Sequence, residues 1–223
     1  MTGIVAVTGA AGALGRKAVA VLNAAGWTVI GIDLGIVEAG DVALALGGVD
    51  LTDEAAVGAA AAQIADRFGQ LDGLVNIAGG FAWETVADGS VATWDRLYAM
   101  NVRTALIASR ALLPLLRAGQ GAIVNIGAAA SVKAGAGMGA YAASKSGVAR
   151  LTEALAEELK DDGVRVNAIL PSILDTAANR ADMPDADFAR WVTPEQLAGV
   201  AAFLLSPAAS AITGALIPVT GRV

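Results

Sequence analysis

Short apolar, β-branched runs alternate with longer Ala/Leu-rich amphipathic stretches along almost the whole chain, and that alternation leaves few folds open. It predicts repeated strand-helix units whose strands pair in one parallel sheet. Strands are expected at residues 4–7, 28–32, part of 42–49, 74–76, 122–126, 165–169 and 215–219, and helices at 14–25, 54–67, 93–116, 140–160 and 194–205. A chain of 223 residues is long enough for one well-buried domain and short for two. The reading is therefore a single α/β domain over residues 1–223, with a doubly wound, seven-stranded parallel sheet flanked by helices. Too few residues separate Asp33 from the third strand for a full crossover helix, so a loop or single turn is expected there. Residues 175–191 crowd Asp, Asn, Arg, Met and Pro together without a period, which suits either a plain surface loop or a substrate lid spanning about 172–192.

The chain has no cysteine and no histidine. Thiol nucleophiles, disulfides, Cys/His metal sites and Ser-His or Cys-His machinery are thereby excluded, and no metal site is expected. Acid-base chemistry falls to Tyr, Lys, Asp, Glu or a cofactor. Apolar residues make up 56% of the chain and charged ones 16%, with a mean hydropathy of +0.61. The uncharged run 196–221 is interrupted by Ser206, Pro207, Ser210, Thr213, Gly214 and Pro218, so it reads as helix, turn and strand rather than a membrane span. A net charge of −6 disfavours nucleic acid and anionic membranes as partners. No signal-peptide pattern opens the chain, and a cytoplasmic location is the expectation.

Tyr141 and Lys145 lie four residues apart in a helical stretch, so both leave one face and can share a proton-transfer site. A free phenol has a pKa of about 10, and a nearby cation lowers it. Upstream, Thr8, Gly9, Ala10, Ala11, Gly12, Ala13, Leu14 and Gly15 follow the first strand and open the first helix. That is the setting of a phosphate-cradling loop, where small residues admit a pyrophosphate and helix amides favour its charge. Asp33 ends the second strand, where a carboxylate accepts bonds from both adenosine ribose hydroxyls and repels a 2′-phosphate, favouring NADH over NADPH. Neither Leu34 nor Gly12 supplies a cation for that phosphate. Asp50, with Leu51 beside it, either approaches an adenine amino group or caps the next helix.

Taken together, these residues resemble the short-chain dehydrogenase/reductase family over almost the full length. The family's glycine loop appears as residues 8–15 with Ala13 at the middle glycine, and its Asn-Asn-Ala-Gly motif as Asn76, Ile77, Ala78 and Gly79. Its helix asparagine is Asn101, its Tyr-x-x-x-Lys pair is Tyr141 and Lys145, and its Pro-Gly-x-x-x-Thr segment is Pro171 to Thr176 with Ser172 at the glycine. The resemblance implies a Rossmann fold binding NAD, with Tyr141 as general acid/base and Lys145 lowering its pKa and holding the nicotinamide ribose. It further implies that Asn101 holds a relay water, that Ile173 and Thr176 meet the nicotinamide, and that the chain forms a homodimer or homotetramer.

One departure bears on the substrate. The family serine thirteen residues before the tyrosine is Ala128 here, and losing such an oxygen-binding donor costs about 2.7–4 kcal/mol where it is used. Either Ser131 replaces it, which needs the loop to fold back, or the reacting centre is not a simple ketone. The Gly79, Gly80, Phe81 stretch and the 174–191 segment also look like dihydropteridine reductase, which reduces a conjugated ring. Phe81, Trp83, Met138, Met183 and Trp191 are candidate walls of an apolar substrate pocket beside Ala128 and Ser131. Three functions fit: an NAD(H)-dependent oxidoreductase acting on a carbonyl/alcohol pair or related conjugated small molecule, a pterin or quinone reductase, and a non-catalytic NAD(H)-binding regulator.

Overall fold

A computed structural model describes residues 3–223 of the chain. Seven strands form one parallel sheet: β1 Ile4–Thr8, β2 Thr28–Ile32, β3 Leu44–Leu46, β4 Gly73–Asn76, β5 Ala122–Ile126, β6 Arg165–Pro171 and β7 Leu216–Val219. Their spatial order is β3-β2-β1-β4-β5-β6-β7, with every pairing parallel. The order reverses direction between β1 and β4, and a crevice opens at such a switch point beyond the strands' carboxyl ends.

The helices are α1 Ala13–Ala24, α2 Glu54–Phe68, α3 Val91–Tyr98, α4 Thr104–Gly119, α5 Gly139–Leu159, α6 Ala177–Asp182 and α7 Pro194–Leu205. Alternation along β1 sends Val5 and Val7 to one face and Ala6 to the other, which is why the strands are apolar throughout. On one face Leu14, Leu22, Leu197 and Leu204 of α1 and α7 pack on Val5, Val7 and Val75. On the other, Ile64, Leu112, Leu116 and Leu159 of α2, α4 and α5 pack on Ala6, Ile30, Leu74 and Ile123. No helix of the described residues is long and apolar enough to cross a membrane.

The expected helix at 93–116 is present but starts earlier, at Val91, where Ser90 caps it by accepting from the Ala92 amide. It is also divided: a π-helical turn, Ala99–Arg103, joins α3 to α4 and carries Asn101 at its centre. Single-turn π insertions in α-helices gather at functional sites. The connection from β2 to β3 has no helix, as its length dictates, and β3 is reduced to three residues.

A buried row of side chains crosses the sheet near its carboxyl edge. The register sets Thr8 beside Asn76 and Asn76 beside Asn125. The Asn76 amide donates to the Asn125 carbonyl oxygen at 2.9 Å and to the Ser109 hydroxyl at 3.1 Å. The Asn125 amide in turn donates to the Thr152 hydroxyl at 2.9 Å. Replacing Asn125 by Ala should therefore leave Asn76 and Thr152 short of partners and lower unfolding stability by about 1–3 kcal/mol per buried group left unsatisfied. Urea denaturation measures this, and a stability within error of the parent would show that the row bears no load.

Candidate active site

The loops after β1 and β4 meet at the switch point. Gly9 has φ +71, and a Cβ there would sit 2.7 Å from the Ala78 amide nitrogen. A Cβ on Gly15 would come to 1.9 Å from the Gly9 carbonyl oxygen, so the first turn of α1 can lie on this loop only with glycine at 15. Gly12 precedes α1 with no side-chain cap, which leaves the first-turn amides turned toward the loop without a partner of their own. Asp33 reaches the same place: its Oδ2 accepts from the Ala11 amide at 2.9 Å and its Oδ1 from the Gly35 amide at 2.7 Å. The uncapped helix end, the glycine-tight loop and the carboxylate at the β2 terminus together fit a dinucleotide. Arg16, which the sequence reading passed over, donates to the Ala11 carbonyl beside this loop; its position directly after Gly15 was the available signal.

Tyr141 and Lys145 both stand on the first two turns of α5. The Lys145 ammonium is buried and donates to the Ile126 carbonyl at 2.8 Å, with its nitrogen 6.0 Å from the Tyr141 ring centroid. Burial pushes the lysine down to about 8 and the phenol up to about 12. Desolvation acts on each group against its charged form, so the phenol stands above its free value instead of below it.

Asn101 links these residues to the loop after β4. Its Oδ1 accepts from the Gly80 amide at 3.0 Å, and its Nδ2 donates to the Gly80 carbonyl at 3.1 Å and to the Ser144 hydroxyl at 2.9 Å. Ser144 then donates to the Tyr141 carbonyl at 2.7 Å. Ser144 is a further residue the sequence reading missed. It lies between the two flagged positions of the Tyr-x-x-x-Lys pattern, three residues after Tyr141, the spacing at which a hydroxyl reaches back to a helical carbonyl.

The remaining expected residues have these partners within the chain. The Asn76 side chain is committed to the buried row. Asp50 accepts from the Thr52 amide and hydroxyl, which hold its carboxyl below the usual range. The cap of α2 is Asp53 rather than Asp50. The buried Leu51 belongs to the core. The Thr176 hydroxyl caps α6 by accepting from the Asn179 amide. Ile173 receives the Val192 amide, and Ser172 at the family glycine donates to the Thr220 carbonyl at 2.7 Å. Pro171 is the buried end of β6.

Among the expected pocket walls, Phe81 forms a T-shaped pair with Tyr141, centroids 4.9 Å apart. Met138 immediately precedes α5, and Met183 ends α6, half-buried. Trp191 is 6% exposed and packs on Phe188 inside the 172–192 segment, so it is a core residue of that segment and not a surface for substrate. Trp83 lies over Gly137, and its indole donates to the Ala136 carbonyl. Ala128 is buried and extended. A short 3-10 turn, Ala129–Ser131, follows it, with the Ser131 amide donating to the Ala128 carbonyl at 2.9 Å; the Ser131 carbonyl accepts from Ser146. Among the described residues no group of three or more Asp or Glu is placed to hold a metal ion.

The family model described as enoyl-(acyl carrier protein) reductase matches residues 9–221. The chain is 36% identical to the inactive 2-(S)-hydroxypropyl-CoM dehydrogenase 2 of Xanthobacter autotrophicus, over 94% of this chain and 90% of that one. It is 34% identical to the D-threitol dehydrogenase of Mycolicibacterium smegmatis, over 96% and 90%. The crystal structure of a 3-ketoacyl-(acyl-carrier-protein) reductase from Brucella melitensis, complexed with NADH, superposes with a TM-score of 0.88 at 28% identity, covering 98% of this chain and 97% of that one. With a glycine loop at the switch point and a Tyr-Lys pair backed by a helix asparagine, the chain belongs to the short-chain dehydrogenase/reductase family of oxidoreductases.

Proposed function

We propose that the protein is an NAD(H)-dependent oxidoreductase that interconverts a carbonyl/alcohol pair, or reduces a related conjugated small molecule, with Tyr141 as general acid/base. The observation that carries this reading is the continuous chain from Gly80 through Asn101 and Ser144 to Tyr141, with the Lys145 ammonium on the same helix face. When bound, the nicotinamide dinucleotide supplies or accepts the hydride. Gly9, Gly12 and Gly15 would admit its pyrophosphate, Asp33 its adenosine ribose, and Ala78, Gly79 and Lys145 its nicotinamide half. In reduction the carbonyl carbon gains hydride and the oxygen takes the Tyr141 proton, leaving a phenolate that the Lys145 cation stabilises. A phenol held near 12 is protonated at neutral pH, which suits the acid role in reduction.

Asp33 supports NADH over NADPH, because its carboxylate already lies at the loop and would face a 2′-phosphate. A homodimer or homotetramer is supported by Val91, Trp94 and Tyr98, which form an exposed apolar stripe on α3. The segment 172–192 is the proposed substrate loop, and the cytoplasm the proposed location. A second reading, an NAD(H) binder without turnover, is favoured by Ala128 at the family serine and by likeness to a relative named as inactive.

Two measurements test these readings. Purified protein with NADH, presented with ketones, aldehydes, quinones and quinonoid dihydropterin, should turn over at least one class. Tyr141→Phe should slow that turnover at least about 100-fold, the lower scale of general acid-base help, while binding NADH as before. An unchanged rate removes Tyr141 from the mechanism, and NADH binding without turnover on any acceptor selects the binder. Separately, titration should find NADH bound at least about tenfold more tightly than NADPH, a difference of about 1.4 kcal/mol, with the gap narrowing in Asp33→Ala. Equal affinities in the parent protein would remove the assigned role of Asp33.

A further inference from the structure

The helix that carries Tyr141 begins without a side-chain cap: Met138 precedes it and offers only backbone, with its carbonyl accepting the Ala142 amide at 2.8 Å. Where this helix starts is therefore set by the segment just before it. That segment is poorly anchored on its own, since residues 132–136 are all exposed and its internal tie is the Met138 amide on the Gly135 carbonyl at 3.1 Å. Its outside support comes from the loop after β4. The Trp83 indole donates to the Ala136 carbonyl at 3.1 Å, and the Glu84 amide donates to the Gly137 carbonyl at 2.9 Å. The indole lies so close to Gly137 that a Cβ there would come to 2.1 Å from the ring, and Gly137 has φ +73. Glycine is needed on both counts.

The supporting loop is itself pinned. The Glu84 carboxylate accepts from the Thr93 hydroxyl at 2.9 Å and from the Ser90 amide at 3.1 Å, tying it to the start of α3. Two residues earlier than Trp83, Phe81 forms a T-shaped pair with the Tyr141 ring. Residues 81–84 thus bridge α3, the Tyr141 ring and the backbone leading into the Tyr141 helix.

We propose that Trp83 is a positioning residue: seated on Gly137, it clamps the 135–138 segment and so fixes the start of α5 and the placement of the Tyr141 ring, rather than forming a wall of the substrate pocket. This rests on the catalytic reading of Tyr141 given above. A displacement of about 1 Å at a reacting group can lower the rate about 100-fold, so a clamp acting through backbone is felt in turnover. A pocket wall would be felt mainly in substrate binding.

The test uses Trp83→Ala, Trp83→Phe and Gly137→Ala, with folding checked by circular dichroism; Trp83 is 60% exposed, so its replacement leaves no core cavity. Trp83→Ala should lower kcat about tenfold or more with little change in KM, whatever the size of the acceptor, and leave NADH affinity unchanged. Trp83→Phe, which keeps a ring over Gly137, should recover most of kcat, and Gly137→Ala should match Trp83→Ala because it unseats the same ring. A readout independent of turnover is the ultraviolet titration of the phenols, of which the chain has two, Tyr98 and Tyr141, with Tyr141→Phe identifying the second. In Trp83→Ala the Tyr141 titration should move down from about 12 toward 10. If the parent protein shows no turnover, the catalytic reading fails, and the titration still decides the clamp. A rise in KM alone that varies with acceptor size, or kcat and phenol titration both as in the parent, overturns the proposal.

Discussion

The site depends first on how α5 is fastened to β5. Asn125 and Ile126 are consecutive, and α5 binds both: the Asn125 amide donates to Thr152, and Lys145 donates to the Ile126 carbonyl. Lys145 and Thr152 are seven residues apart, two helical turns, so one face of α5 carries both fastenings. Neighbouring side chains of a parallel strand point to opposite faces, yet a strand-end carbonyl can still be reached by a long side chain. The strand asparagine and the lysine therefore act at adjacent residues of one strand without competing. Because Asn125 is also bonded to Asn76, beside Thr8 in register, the fastening extends across β4 to β1. The loops after β1, β4 and β5 all leave the sheet within two residues of this row, which is why their backbones meet with the closeness seen at Gly9 and Ala78.

The same fastening sets the electrostatics. The ammonium, anchored to a carbonyl, stands 6.0 Å from the tyrosine ring centroid, and both groups are largely withdrawn from water. Desolvation then acts on each against its charged form, raising the phenol and lowering the ammonium. Attraction between them counts fully only in the state where both are charged, which is the state left after the phenol gives up its proton. On the proposed function, a pair arranged in this way would hold the proton at rest and be compensated once it is gone, the differential stabilisation that catalysis requires.

The fold was legible because its signals are local and repeated. Apolar runs of strand length, bounded by glycine and polar residues, located all seven strands, and the missing crossover helix after Asp33 followed from counting residues. The division of α3 from α4 was not legible. A π turn shifts the helix phase by one residue, and with apolar residues on either side of Asn101 the pattern across 93–116 reads equally well without it. The start of α3 was shifted to the Ser90 cap, which lies outside the apolar period that marks the helix body.

The site was legible in residue type and less so in direction. Gly9 lies against Ala78, and Asn101 and Lys145 lie against Gly79, because motif spacing and strand ends determine where a backbone goes. Side-chain commitments are a separate matter. Asn76, Thr176 and Asp50 each satisfy a nearby backbone or buried partner, and short polar side chains at strand and helix ends do so readily. The 172–192 segment shows the point most fully. Its lack of period suited a plain surface loop or a substrate lid, and within it Arg180 is paired with Asp175 and stacked on Phe188, Phe188 packs on Trp191, and Leu174 bridges Val192. The chain's last residues complete it, with Arg190 donating to the Arg222 carbonyl and Arg222 to the Ala189 carbonyl at 2.8 Å. Irregular backbone can hold a small core through contacts distant in sequence, and periodicity reports only those contacts that repeat along one element.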